Sequence, residues 1–450
     1  MQSTSEEPQF SGQTIWSATR FLLRVGCVAL LFANTAAGQL DFESEPINYA
    51  STTPTDRVHA LATKVESGDA QLDYDDKSGY LLAVLKELEI PISSQMLVFS
   101  KTSFQLRRIT AQRPRAVYFN DDVYVGWVQN GDVVEISAAD PQLGAVFYTL
   151  RQEQAERPKI VRDRGQCIVC HASSRTSGVP GHLVRSVYAD KSGQPFFGSG
   201  TFTTDHRSPF KERWGGWYVT GTHGKQRHMG NVISTDRDRP EDLDMEAGAN
   251  ITDLSDHVNT SPYLSPHSDI VALMVLEHQS RMHNLITRAN FEAKSAHHYD
   301  EVMNKAMDRP TGHSSDSAKR RIDSAARKMV EYMLFADEFQ LTDPVNGTSA
   351  FAEEFAARGL RDSKGRSLRD FDLSTRLMKY PCSYLIYSDT FDALPDEVKS
   401  RALQRLYDVV VGHDNSDTYA HLSTSDRKAI FEIIRETKPN LPSYWHKDST

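Results

Sequence analysis

Cysteine is scarce in this chain, with four in 450 residues. That is too few for a disulfide scaffold, since secreted folds that depend on disulfides are far denser in them. Basic runs are also missing, and 51 Lys and Arg against 60 Asp and Glu leave a formal charge of −9. A nucleic-acid partner is therefore not expected, because displacing counterions from phosphate takes clustered Lys and Arg. The chain has no P-loop, no dinucleotide fingerprint, no G-x-S-x-G elbow and no H-E-x-x-H helix. The common nucleotide, hydride, acyl-transfer and metalloprotease readings fall away with them. What is present is an ordinary globular composition, 39% hydrophobic and 25% charged. Fibrous repeats and wholesale disorder do not look like this. At about 100–200 residues each, two or three domains are expected.

The first 38 residues read as an export signal. Arg20 and Arg24 flank Phe21-Leu22-Leu23, an apolar run follows from Val25 to Ala33, and Ala36-Ala37-Gly38 offers a cleavage site. The run is shorter than the about 20 residues that a membrane-spanning helix needs. No later segment approaches that length, so the mature chain is expected in the periplasm or secreted, without a transmembrane segment. Cys27 suits a lipoprotein poorly, because Arg24 stands three positions before it and most of the apolar run lies after it. Cys167, Cys170 and Cys382 then remain. With an odd number, at least one thiol lies outside any intramolecular disulfide.

The apolar periods divide the rest into three stretches and point to an α+β chain. In 39–150, Val58, Leu61, Ala62 and Val65 share a helical face, and residues 80–88 form a second helical segment before Pro91. The period then becomes that of strands: Ala116–Phe119, Val123–Val128, Asp132–Ile136 and Ala145–Leu150. Asn130-Gly131 between two of them is a strong hairpin signal, so an antiparallel β-meander is expected. Residues 151–262 alternate Gly-rich turns with short candidate strands, among them Leu183–Tyr188 and Trp217–Thr220. Residues 263–450 turn helical, with Ser268-Asp269 placed to cap a long helix and Pro395 to open another.

The chemistry is concentrated in Cys167-Ile168-Val169-Cys170-His171, the attachment motif of c-type haem. Two thiols at this spacing add across the porphyrin vinyl groups, and the adjacent imidazole meets the iron. A disulfide, a redox dithiol and a zinc site are the competing readings. Zinc would want a second Cys-x-x-Cys, and a thioredoxin-like dithiol a βαβ context, and neither is seen. On these five residues the chain resembles the c-type cytochromes. The resemblance implies one covalent haem c on Cys167 and Cys170, with His171 as proximal ligand. The turn-rich, strand-like flanks differ from the all-helical small cytochromes c, and dihaem peroxidases carry two such motifs where this chain has one.

The second iron ligand decides between a carrier and an open, reactive site. Candidates are His223, His228 and Met229, set among glycines and near Trp214 and Trp217, and His278, which shares a helical face with Met274 and Met282. His182, after Gly178-Val179-Pro180-Gly181, is a third possibility. Arg175 and Arg185 are candidates to meet haem carboxylates. The first expectation is an exported electron-transfer protein whose acidic surface suits a basic redox partner. The length of the chain keeps a peroxidase- or oxidase-like haem enzyme beside it, and a haem-based sensor is a third reading.

Overall fold

The computed structural model describes residues 41–446, and the expected export signal at 1–38 lies outside the described residues. Asp56 opens helix α1 (Arg57–Ser67) by accepting hydrogen bonds from the backbone N–H groups of Val58 and His59. Those donors have no partner inside the helix, which is why a carboxylate fits there. Val58, Leu61 and Val65 are its buried residues, and Gly68 ends it at φ 86°. After α2 (Leu81–Glu87) come the strands β1 (Met96–Val98), β2 (Arg115–Phe119), β3 (Val123–Val128), β4 (Val133–Asp140), β5 (Gly144–Arg151) and β6 (Ile160–Arg162). They form one antiparallel sheet in sequence order, the expected meander extended by a strand at each edge.

Both faces of this sheet are covered. Leu97, Tyr118, Val125, Trp127 and Ile136 share a core with the residues of α1 and α2. Met96, Val98, Val117, Phe119 and Tyr124 point the other way, into a second core with the C-terminal helices. Every residue of β3 is therefore buried, and the alternation of polar with apolar positions is lost there.

Between the sheet and the helices lie the single-turn α3 (Ile168–His171) and the two-stranded pair β7 (Val184–Val187) and β8 (Thr201–Thr204). Trp217–Thr220, expected as a strand, makes only isolated bridges, from Trp217 to Val98 and from Thr220 to Asp269. Gly216 (φ 84°) and Gly221 (φ 155°) bracket it and stop a ladder from forming. Helix α4 (Ile270–Ala306) runs for 37 residues and is buried on every side from Ile270 to Ser280. Its cap is Asp269, as the sequence suggests: one carboxylate oxygen accepts from Val271 N and Ala272 N. The other oxygen accepts from the N–H groups of Thr348 and Ser349 and from the Ser349 hydroxyl. Helices α5 (Asp316–Met333), α6 (Phe351–Ala357), α7 (Asp389–Asp392), α8 (Asp396–Val410) and α9 (Thr424–Thr437) complete an α+β architecture.

The described residues all fall in one compact unit. Each core draws on residues from 39–150, 151–262 and 263–450. The boundary expected after residue 150 falls inside β5 and the one after 262 in the loop before α4, both within that one unit. Among the described residues, no helix is long and apolar enough to cross a membrane.

Candidate functional site

The Cys167–His171 segment begins where Asp163 accepts a hydrogen bond from Cys167 N (2.9 Å). Cys170 N and His171 N then donate to Cys167 O, closing one helical turn. Spacings of three and four bring Cys167, Cys170 and His171 to the same side of that turn. All three line one cavity of about 390 Å³. Val169 faces the other way and is 78% exposed.

His171 is oriented from behind. Its Nδ1 donates to the carbonyl of Gly181 (2.9 Å), and its ring lies 4.8 Å from that of Phe147. An imidazole that gives Nδ1–H to a backbone carbonyl keeps its Nε2 lone pair for a metal. The carbonyl is itself fixed by α4: Asn284 accepts from His182 N (2.9 Å) and donates to His182 O (2.6 Å). A Cβ at Gly181 would stand 2.2 Å from Asn284 Oδ1, so this approach requires glycine. Burial holds His171 below the usual imidazole range, which favours the neutral, ligating form.

The sheet forms the cavity wall. Val117, Gly126, Glu135 and Thr149 make one row across β2–β5, and Tyr124, Ser137 and Phe147 the next. Gly126 leaves room for an ion pair from Arg115 Nη1 to Glu135 Oε2 (2.9 Å), since a Cβ there would lie 3.2 Å from Arg115 Nε. Leu276 and Ser280 of α4 close the opposite side. At the mouth, Phe104, Leu106 and Phe197 are 54%, 47% and 53% exposed, an unusual concentration of large apolar side chains in water.

His182 enters the same cavity. It is 6% exposed, its Nε2 is 3.0 Å from Ser137 Oγ, and its Nδ1 has no hydrogen-bond partner. Burial, with the neighbouring His283 and His171, holds it well below the usual range, so it is neutral near pH 7.

These residues fit a covalent haem. The lining is largely apolar and aromatic, both cysteines and an imidazole with an unengaged Nε2 face it, and Arg185 stands within it. The competing readings fit less well. Burial and the Asp163 carboxylate push the Cys167 thiol up to about 12, the reverse of an activated dithiol. Among the described residues no three His, Cys, Asp or Glu side chains gather as a metal would need, so zinc lacks a ligand set. Cys382 is buried in the helical core.

The four candidates named for the second ligand lie outside this cavity. His223 gives Nδ1 to Gln226 O and takes Asn250 N on Nε2. His228 accepts from Gly230 N and packs against Trp214. Met229 is buried, its sulfur accepting from the Ser186 hydroxyl (3.5 Å). His278 is bonded through Nδ1 to His206 and through Nε2 to Ser383 (2.8 Å each). Their clustering among glycines reflects a tightly folded loop, and the Met274 and Met282 beside His278 are core. Of the histidines weighed for that role, only His182 lines the cavity. The wall residues Tyr124, Gly126, Ser137 and Phe147 carried no motif, and their place in or beside β-branched and aromatic runs was their one signal. No protein-family model, curated protein or solved structure matches this chain.

Proposed function

We propose that this chain is an exported monohaem c protein acting in electron transfer. The observation that carries the reading is the convergence of Cys167, Cys170 and His171 on one cavity, with His171 held through Nδ1. Haem bound there would supply one-electron chemistry at its iron. Cys167 and Cys170 would hold it as thioethers and His171 would ligate the iron. Asn284, Gly181 and Phe147 fix the imidazole, and the sheet face excludes water from it. Phe104, Leu106 and Phe197 give the mouth an apolar rim on which a redox partner protein could dock. Lys101, Arg115 and Arg185 line the cavity beside Glu135 and Asp163, so the docking face need not carry the acidic sign of the whole chain.

One observation favours a second reading, an oxidoreductase with an open iron site. His182, neutral and with an unpartnered Nδ1, could accept or relay a proton in the same cavity, with Ser137 fixing its other nitrogen. The test has two steps. The exported protein should give a positive pyridine haemochrome assay, with covalent haem lost in C167S/C170S; a wild type without covalent haem ends the proposal. Carbon monoxide added to the reduced protein then separates the readings: a shifted spectrum supports the enzyme, and an unchanged one the carrier.

A further inference from the structure

A second cavity, of about 250 Å³, shares His182, Leu183, Val184 and Ser280 with the first. Its character is different. Three guanidinium groups, of Arg175, Arg207 and Arg281, line it against one carboxylate, Asp205. That carboxylate is already engaged by Arg207, through Nε (3.3 Å) and Nη2 (2.9 Å). Arg281 leaves α4 one residue after Ser280, and its buried Nε has no hydrogen-bond partner. Among the described residues no carboxylate forms an ion pair with Arg175 or Arg281. His182, in the shared wall, adds the unpartnered Nδ1. Arg175 is exposed and Arg281 half-buried, and an oxyanion between them would supply the hydrogen-bond acceptor and the paired negative charge that Arg281 lacks. The planar fork of arginine matches the paired oxygens of a carboxylate or inorganic oxyanion. The volume suits a small one.

We propose that this cavity is an oxyanion-binding site that adjoins the haem-attachment cavity at His182. The oxyanion has two sources: a soluble anion, or a carboxylate of the haem itself. The charged pocket stands without the haem reading, whereas the second source rests on it.

The experiment uses the purified, haem-loaded protein, titrated calorimetrically with sulfate at low ionic strength, beside R281Q and R175Q. A soluble oxyanion site gives one sulfate per chain, weakened about tenfold or more in R281Q and less in R175Q at the exposed mouth. If a haem carboxylate fills the site, sulfate does not bind. R281Q then lowers the midpoint potential, because removing a cation beside that carboxylate favours the oxidised iron. R175Q gives the same answer in either arm should R281Q fail to fold. No sulfate binding, together with unchanged potentials in both variants, would overturn the proposal. A negative haemochrome assay would end the proposed function yet leave the sulfate titration to read the pocket.

Discussion

Asn284 shows how much of the site depends on a side chain that never touches the motif. Its amide clamps both backbone groups of His182, and this fixes the Gly181 carbonyl that receives His171 Nδ1–H. Replacing it by alanine leaves two buried backbone groups unpaired, at a cost of about 2–4 kcal/mol. The imidazole also loses its fixed plane. N284A is therefore expected to keep covalent haem, since both cysteines remain, but to change the electron paramagnetic resonance g values and the midpoint potential. Unchanged g values would show that His171 does not need this support. Gly126 permits a complementary test. Valine is a good strand former, but at 126 its Cβ would lie 3.2 Å from Arg115 Nε and its methyl groups would enter the cavity. G126V should keep the sheet signal in far-UV circular dichroism and lose most of its haem, measured per mole of protein.

Helix α4 is the element that links the two cores to the site. Its start was legible because capping is local: Asp269 and the apolar residues after it state where a helix begins. The strands β2–β5 were legible for the same reason, from β-branched and aromatic runs with an Asn-Gly turn. β6 and β8 were not, since Ile160-Val161-Arg162 and Thr201–Thr204 are too short to show a period. The second-ligand candidates His223, His228 and Met229 lie outside the cavity, because glycine and histidine density reports a tight loop without saying what lies across from it. Asp269 bonds to both α4 and the Thr348-Ser349 turn, so D269A should destabilise the protein by about 2–4 kcal/mol in urea denaturation. The same helix predicts acid sensitivity. Burial holds His278 at about 3 and His283 at about 4, against 6.5 for a free imidazole. Below 6.5 the unfolded chain takes up protons that the folded chain does not. Their stabilising share is therefore complete above 6.5 and is lost as pH falls toward those folded values. Glu277 opposes them: burial raises it to about 7, so its share declines between 4.5 and 7. The variant H278Q isolates one imidazole. Its loss of stability between about pH 7 and about pH 5 should be smaller than that of wild type. An equal loss would mean that His278 takes no part.

At the scale of the whole molecule, the three stretches seen in the sequence fall within one compact unit. The cores that join them are tertiary and leave no local pattern. The sheet carries a core on each face, and α4 contributes Phe291 to one and Leu273 and Met274 to the other. Neither core can be lost without stripping one face of the sheet and one side of the helix that the other core uses. Unfolding in urea should therefore be a single transition. The tryptophans report on it, because Trp127 lies in the core shared with α1 and α2, while Trp214, Trp217 and Trp445 lie in the helical core. Fluorescence of wild type and of W127F should give coincident midpoints, and far-UV circular dichroism should coincide with both. Truncating the link makes the test sharper. F291A removes a fully buried ring from the first core and should destabilise by about 3–5 kcal/mol. If the cores are coupled, that loss lowers the midpoint read by Trp214, Trp217 and Trp445 as much as the one read by circular dichroism. Two separated midpoints, with only one moved by F291A, would show that the sheet and the helical core unfold independently.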